Sequence, residues 1–406
     1  MGAPSARVSE LSRYWVEMGH EVTVLTCFPN YPDGVVYQGY EDKIKRLYMR
    51  EEFNGIEVIR VWVYPTHLRS PLRRGINYTT SLLTYSLAGP LLKDIDIVIA
   101  TSPPPFLGLT ALILKYLKGM PFVFEVRDLW PEVITAVGAA SPNSLSYKII
   151  DKIVAASYKK SDLIVALTDS FKDSIVNARG IDENKVRVIE NAVDTELFKP
   201  ERSDRSALKK LGLNNKFIVS YVGTIGLTHG VDVVIKAAEE LKPKIPELVF
   251  LLVGDGYEKN RLELLTNTKG LDNVLFLGKR QRSEIPEILN ASDISLVLSK
   301  KSELLEKTIF AKVFEPMACG IPIIVGAEGE TKSIAVDKGK AGVSFMPEDV
   351  GGLIDCIHKL HSDPGLRQKL GENGRKLVLS KYSREKKAHE YIHLLETLLE
   401  NKSDKK

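Results

Sequence analysis

One carboxylate stands in an otherwise apolar run of the second half of the chain. The run KTIFAKVFEPMACGIPIIV contains Glu315, followed by a proline, a Gly-Ile-Pro turn and an apolar strand. Because an unpaired carboxylate is expensive to bury, Glu315 needs a partner. Three are open from the sequence: local backbone at a helix start, Lys312 three residues earlier on a helix, or a ligand.

Basic residues lie close to this carboxylate in the sequence and directly after a predicted strand. The stretch FLGKRQRSEIPEIL supplies three of them and the run around Glu315 supplies two, which gives Lys279, Arg280, Arg282, Lys307 and Lys312. Arg binds phosphate through two parallel hydrogen bonds and Lys acts as a point charge. These residues indicate a diphosphate pocket, and a solvated basic loop is the alternative.

A glycine-rich stretch, YVGTIGLTHGVD, follows the first strand of the second half. Gly223, Gly226 and Gly230 would let backbone approach a ligand, and the helix that follows would point its positive end at an anion. Thr224 and His229 are the polar residues that we assign to this loop. The spacing does not match the dinucleotide fingerprint G-x-G-x-x-G, so a plain tight turn is the alternative.

A mixed charged and aromatic stretch, FEVRDLWPEV, follows a strand of the first half. Arg127, Asp128 and Glu132 lie here beside Trp130 and Pro131, and we assign the three charged residues as catalytic candidates. Carboxylates accept hydrogen bonds from sugar hydroxyls, and aromatic rings cover sugar faces. An internal Arg–Asp ion pair is the alternative.

Short apolar runs alternate with amphipathic stretches of about 10–15 residues, which is typical of βαβ units and parallel sheets. Three similar loops, each with an aspartate before an apolar strand, recur in both halves, so we expect an α/β fold with two domains of related architecture. The predicted strands are EVTVLT, EVIRVWVY, DIVIAT, PFVFEV, LIVALT, VRVIE, FIVSYVG, LVFLLVG, VLFLG, ISLVLS and PIIVG.

The polar stretch NAVDTELFKPERSDRSALKKLG separates the two halves. It predicts domains at residues 1–203 and 204–380, followed by a helix and a polar tail over 381–406. At the amino terminus only MGAP precedes the first helix, although a strand normally precedes such a helix in a parallel sheet. The first strand therefore looks missing, and we favour a natural start upstream over a fold that lacks it.

The composition is that of an ordinary globular protein: 406 residues, 44% hydrophobic, 27% charged, net charge +4. No Lys/Arg run is interleaved with aromatics, so we expect no nucleic-acid partner. The three distant cysteines fit reduced thiols in the cytoplasm. Asp94 and Asp96 precede a strand, at the wrong edge of a sheet for a metal site, and we expect neither metal nor cofactor.

Several of these motifs, in this order and spacing, resemble the family-4 retaining glycosyltransferases. VGTIGLTHGVD, LVGDGYEKNRLE, VLFLGKRQRSEIPEIL, ASDISLVLS and AKVFEPMACGIPIIVGAEGE resemble that family's carboxyl-terminal domain. GAPSARVSELSRYWVEMGHEVTVLT, SPPPFLG and FEVRDLWPE resemble the amino-terminal domain of one branch. That branch builds surface polysaccharides and includes N-acetylfucosamine-type transferases. The resemblance covers nearly the whole chain.

The resemblance implies the GT-B fold, in which two Rossmann-like domains face each other across a cleft that holds a nucleotide sugar. The final helix would cross back onto the first domain. Glu315 matches the glutamate that accepts hydrogen bonds from the donor's ribose. The reaction would move a sugar from a nucleotide-sugar donor to a polysaccharide or lipid-linked saccharide, with retention of configuration. UDP is the favoured carrier in the donor, and the departing phosphate would take the acceptor's proton.

The chain departs from the family pattern at four positions. Lys307 stands where the family has the first of two glutamates, Thr224 and His229 stand at the basic pair of the glycine loop, and Arg127 replaces a histidine. The lost histidine suggests an N-acetylated 6-deoxy sugar in the donor. The phosphate charge would be met by other cations, namely Lys307, Lys312 and Arg282.

The stretch over residues 67–93, HLRSPLRRGINYTTSLLTYSLAGPLLK, combines Arg69, Arg73 and Arg74 with a long apolar and aromatic sequence. This pattern suits peripheral contact with an anionic membrane, where a lipid-diphosphate acceptor would lie, at the inner face of the cell membrane. A core helix with a solvated basic start is the alternative.

Two other functions stay open from the sequence. One is a nucleotide-sugar epimerase on the same fold, and the other is a non-catalytic scaffold subunit that binds a nucleotide sugar.

Overall fold

The computed structural model describes residues 3–30, 34–66, 71–136, 138, 140–201, 209 and 212–403. They divide into two compact units. The N-terminal unit comprises residues 8–189 and 388–403, and the C-terminal unit comprises residues 3–7 and 190–387. The boundary expected at residues 203 and 204 falls outside the described residues.

The N-terminal unit contains seven described strands in two sheets. One sheet has the order β1-β3-β2, in which β2 is antiparallel, and the other is parallel with the order β4-β5-β6-β7. The strands are β1 Thr23–Cys27, β2 Tyr48–Phe53, β3 Ile56–Val61, β4 Val98–Ser102, β5 Phe122–Val126, β6 Leu163–Ala166 and β7 Val186–Val188. Among the described residues no strand precedes the first helix, and β1 and β4 lie in separate sheets.

Six α-helices are described before the C-terminal sheet. They are α1 Ala3–Glu17, α2 Pro71–Ala88, α3 Leu107–Lys118, α4 Glu132–Ala136, α5 Leu145–Lys160 and α6 Asp169–Asp173. None of the described helices combines the length and apolar character needed to span a bilayer.

The C-terminal unit is built on a six-stranded parallel sheet. Its strands are β8 Phe217–Val222, β9 Leu248–Val253, β10 Val274–Gly278, β11 Ile294–Leu298, β12 Ile323–Gly326 and β13 Gly342–Ser344. Their order is β10-β9-β8-β11-β12-β13. The order reverses between β8 and β11. Open parallel sheets bind ligands at the carboxyl ends of the strands where the order reverses in this way.

Helices complete the C-terminal unit and continue to the end of the described chain. They are α7 Asp232–Leu241, α8 Lys259–Thr268, α9 Ile285–Asn290, α10 Glu303–Glu306, α11 Phe314–Ala318, α12 Glu330–Lys332, α13 Val350–Ser362, α14 Pro364–Lys381 and α15 Arg384–Ser403. In α15, residues 388–403 belong to the N-terminal unit, where the Trp15 indole donates to the Ala388 carbonyl oxygen at 3.1 Å.

The central strands are apolar along their whole length because both faces are covered. Every residue of β9 is buried, and α7 buries Val233, Val234, Ile235 and Leu241 against the sheet. All eleven predicted strands are confirmed. The two strands that the sequence pattern missed are β2, which is largely exposed and polar, and β13, which has three residues.

Candidate functional site

The turns after β8 and β9 lie backbone against backbone in the C-terminal unit. The Ile225 N–H donates to Asp255 O at 2.9 Å, and the Gly223 N–H donates to Val253 O at 2.9 Å. Gly254 has φ +143°, and a Cβ there would lie 1.9 Å from the Gly223 carbonyl oxygen. Position 254 therefore requires glycine. Because Gly254 has no side chain, the turn after β9 can support the glycine loop after β8.

The glycine loop contributes a neutral histidine. The His229 N–H donates to Gly226 O at 3.1 Å, and its Nδ1 lies 3.4 Å from Thr228 Oγ1. Burial, together with the charge of Lys312, lowers the pKa of His229 to about 3. His229 is thus uncharged near neutral pH and can offer a hydrogen bond but no positive charge. Thr224 is exposed.

A largely buried cation lies directly beneath this loop. Lys312 Nζ donates to Tyr221 OH at 3.0 Å and to Leu298 O at 3.1 Å, and it lies 4.6 Å from the centroid of the Tyr221 ring. Tyr221 OH in turn donates to Thr224 O at 2.6 Å. Lys312 Cδ would lie 3.4 Å from a Cβ at Gly223, so the lysine side chain packs against the glycine loop. Among the described residues the bonds of Lys312 Nζ use two of the three hydrogens of the protonated amine, so the third can be donated to a ligand.

Burial has a chemical consequence for this cation. Desolvation lowers the pKa of Lys312 from its usual 10.5 to about 7. The free site therefore holds a lysine that is only partly protonated at neutral pH. A diphosphate beside it would restore the full charge.

Glu315 has a partner, and the partner is Arg282. Arg282 Nη1 donates to Glu315 Oε1 at 2.8 Å, and the two side chains are 22% and 20% exposed. The guanidinium also lies 5.1 Å from the centroid of the Phe198 ring. The alternative that paired Glu315 with Lys312 is wrong, since Lys312 is directed at Tyr221. A carboxylate has about four lone-pair sites and can accept several hydrogen bonds at once.

The remaining predicted cations are dispersed. Lys279 and Arg280 are exposed on the turn after β10, and Arg280 Nη1 is 3.7 Å from Glu284 Oε1. Strand β10 lies two strands away from β8, about 10 Å at the usual spacing. Lys307 ends helix α10 and is half-buried. A Cβ at Gly329 would lie 2.0 Å from the carbonyl oxygen of Glu306, so the loop after β12 packs against this helix end.

The N-terminal unit has its own polar cluster after β5. The Arg127 N–H donates to Ser102 O at 3.2 Å. Burial raises the pKa of Asp128 to about 6, although the Arg127 charge opposes the shift. The buried indole Nε1 of Trp130 has no hydrogen-bond acceptor among the described residues. Asp128 and Trp130 thus place two hydrogen-bonding groups on one loop.

Glu132 is engaged elsewhere. Its Oε1 lies 2.7 Å from Arg179 Nη2, and Arg179 also pairs with Asp151. This ion-pair cluster joins α4 to α5 and gives Glu132 a structural partner.

Sequence reasoning missed two buried side chains near these clusters. Tyr221 was taken as an ordinary strand residue, but it bonds Lys312. Glu125 is buried in β5 and accepts from Thr101 Oγ1 at 3.0 Å. A tyrosine directly before a glycine turn and a glutamate inside an apolar strand are the signals that could have found them.

Family models match both halves of the chain. The "Glycosyl transferase 4-like domain" matches residues 2–192, and "Glycosyl transferases group 1" matches residues 203–377. The chain is 24% identical over 279 residues to alpha-D-kanosaminyltransferase of Streptomyces kanamyceticus, a match that covers 67% of this chain and 69% of that protein.

Solved structures share the fold. The Anabaena protein Alr3699/HepE in complex with UDP is similar with a TM-score of 0.70 and 17% identity, over 93% of this chain and 100% of that one. WaaG, a glycosyltransferase involved in lipopolysaccharide biosynthesis, is similar with a TM-score of 0.70 and 17% identity, over 96% and 95% of the two chains. The solved structures show that the chain has the two-domain α/β fold called GT-B. The two family models together cover residues 2–192 and 203–377, so the chain belongs to the glycosyltransferases of group 1 and the 4-like type.

Proposed function

We propose that the protein is a retaining glycosyltransferase that moves a sugar from a UDP-linked donor to a polysaccharide or lipid-linked saccharide. The observation that carries the proposal is the cation Lys312 beneath the glycine loop, at the point where the C-terminal sheet reverses its strand order. The UDP complex of the similar Anabaena protein supports the choice of carrier. WaaG supports a surface-polysaccharide acceptor.

In this proposal the C-terminal unit binds the donor. Lys312 meets the charge that develops on the departing diphosphate, and Lys307 contributes from the end of α10. Glu315, oriented by Arg282, accepts hydrogen bonds from the two ribose hydroxyls. His229 donates or accepts one neutral hydrogen bond. The site thus recognises a nucleoside diphosphate through charge at one end and a carboxylate at the other.

The N-terminal unit contributes the acceptor side of the proposal. Asp128 is a desolvated carboxyl group on the same loop as the Trp130 indole, whose N–H has no acceptor in the part of the chain that the structure describes, and this pair suits binding of sugar hydroxyls. Arg127 and the ion-paired Glu132 shape this loop. An N-acetylated 6-deoxy sugar remains our proposal for the transferred group, because Arg127 stands where the family has a histidine.

The two alternative functions are not favoured. Both halves of the chain match glycosyltransferase models, and neither an epimerase nor a scaffold gains a specific observation from the described residues.

A transfer assay tests the proposal. Purified protein is offered UDP-sugars with a saccharide acceptor, and the product is examined by NMR for its anomeric configuration. We expect retention, and a loss of rate of about 100-fold in Lys312→Met, since one stabilising donor is removed. The control is Lys236→Met, an exposed lysine on α7. Inversion of configuration, or an equal loss in both variants, would contradict the proposal.

A further inference from the structure

One arginine of α14 holds the two segments that support the Arg282–Glu315 ion pair. Arg375 Nη1 donates to Ala318 O at 2.8 Å and to Phe198 O at 2.9 Å. Ala318 is the last residue of α11, the helix that carries Glu315. Phe198 carries the ring against which the Arg282 guanidinium lies, 5.1 Å from the centroid. A single side chain therefore contacts the supports of both members of the ion pair.

Phe198 is held in one position by its surroundings. Its ring is fully buried and belongs to the same core cluster as Phe314 of α11. Its N–H donates to Asp194 O at 2.9 Å, and its carbonyl oxygen accepts from Arg375. Because the ring, the N–H and the carbonyl group all have partners, the aromatic face that Phe198 presents to Arg282 is fixed.

The Phe198 ring limits where the Arg282 guanidinium can lie. An arginine side chain has many rotamers, but a planar guanidinium that rests on an aromatic face and bonds a carboxylate has few. Glu315 Oε1 accepts from Arg282 Nη1 at 2.8 Å, so a shift of the guanidinium moves or releases the carboxylate. Phe198 and Arg375 thus act on Glu315 through Arg282, and Arg375 also acts on the helix that carries Glu315.

A cavity lies beside this arrangement. It has a volume of about 660 Å³ and is lined by Arg375, Cys319, Gly320 and Leu379 among others. Close packing holds most core side chains in place from all sides, but it cannot do so next to a cavity. The position of the end of α11 therefore depends on the hydrogen bonds from Arg375 more than it would in a filled core.

We propose that Arg375 and Phe198 are positioning residues for the carboxylate that binds the ribose of the donor. Arg375 holds the end of α11 and the Phe198 carbonyl group, the Phe198 ring holds Arg282, and Arg282 orients Glu315. The Glu315 oxygens must meet two hydroxyl groups at once, so a small displacement weakens both hydrogen bonds. The inference rests on the proposed function, in which Glu315 accepts hydrogen bonds from the ribose.

Calorimetric titration of the full-length protein with UDP and with 2′-deoxy-UDP tests this role. The second nucleotide lacks only the 2′-hydroxyl that donates to Glu315 in the proposed function. We expect the wild type to bind UDP about tenfold more tightly, because a hydrogen bond to a charged group is lost with that hydroxyl. In Arg375→Met and in Phe198→Leu this preference should fall to about twofold, whereas a general loss of stability would weaken the binding of both nucleotides alike.

The matched control is Arg367→Met, on the same helix. Arg367 likewise donates to two carbonyl oxygens, those of Leu360 and His361, and lies 5.1 Å from the centroid of the Phe217 ring. Phe217 begins β8, at the opposite end of the sheet from the carboxyl ends where the donor site is proposed. Arg367→Met should therefore keep the preference for UDP, and Arg375→Lys, which retains a donor, should recover most of it.

An unchanged preference in Arg375→Met and Phe198→Leu, or an equal loss in Arg367→Met, would overturn the inference while the proposed function stands. A wild type that binds both nucleotides equally would overturn it as well, because the 2′-hydroxyl would then have no carboxylate partner. A wild type that binds neither nucleotide would contradict the proposed function itself. If Arg375→Met does not fold, Arg375→Gln, which keeps one donor for the two carbonyl groups, takes its place.

Discussion

We expect the buried lysine beneath the glycine loop to make donor binding dependent on pH. Lys312 has a pKa of about 7 in the free site because it is desolvated, and its bonds to Tyr221 and Leu298 are to neutral oxygens. A bound diphosphate favours the charged form and raises this pKa. Donor binding must therefore take up a proton whenever the free lysine is deprotonated, and affinity falls as the pH rises above 7.

The size of the effect follows from the pKa. With a pKa of about 7, about nine tenths of Lys312 is charged at pH 6 and about one tenth at pH 8. If only the charged form binds, the dissociation constant rises about fivefold between pH 7 and pH 8 and then approaches tenfold for each further pH unit, or about 1.4 kcal/mol per unit. The protein should take up about 0.9 proton per donor at pH 8 and about 0.1 at pH 6.

Isothermal titration calorimetry with UDP-glucose measures this uptake directly. The diphosphate of this donor is a diester, so it does not itself titrate near neutral pH, and buffers of different ionisation enthalpy report the protons exchanged. Lys312→Met should bind weakly with no pH dependence, and Lys312→Arg should retain charge and lose the dependence. The reasoning is refuted if the wild type takes up no proton at pH 8 or if Lys312→Met keeps the same slope.

Three further outcomes follow from the structure. Because burial raises the pKa of Asp128 to about 6, kcat/KM should fall as the pH drops below 6. Asp128→Asn should be about 100-fold slower, and its pH–rate profile should not show this fall at low pH. Gly254→Ala should lower the free energy of unfolding by about 3 kcal/mol in denaturant titrations. The control Gly270→Ala should lower it by only about 1 kcal/mol, because a Cβ there meets nothing within 4 Å. Equal losses in the two variants would contradict the close approach of the two turns. Arg282→Met should weaken UDP binding about tenfold in calorimetry, since Glu315 loses its orienting bond, whereas the exposed Arg261→Met should not.

The fold followed from local pattern, and the strands show why. A parallel strand covered on both faces must be apolar throughout, so runs such as LVFLLVG are unmistakable in the sequence. The turns after these strands could be predicted as well, because each turn begins where an apolar run ends. Strand β2 was missed because it is an exposed, polar, antiparallel strand, which leaves no apolar run to detect.

The partners of the site residues could not be predicted because they are set by strand order. Glu315 bonds Arg282, 33 positions away, and Lys312 bonds Tyr221, 91 positions away. Spacing along one helix suggested Lys312 for Glu315, but the sheet brings the turn after β8 to the lysine instead. The low pKa of Lys312 follows from this packing and has no signature in the sequence.

Thermal-shift measurement with UDP, GDP and ADP, on the wild type and on Glu315→Ala, tests the central claim most directly. A nucleotide at about 100 times its dissociation constant stabilises a protein by about 2.7 kcal/mol, which is seen as a rise of a few degrees in Tm. The control variant is Glu240→Ala, an exposed glutamate on α7. We expect a shift with UDP that Glu240→Ala retains and Glu315→Ala loses. No shift with any nucleotide, or an undiminished shift in Glu315→Ala, would contradict a donor site built on this carboxylate.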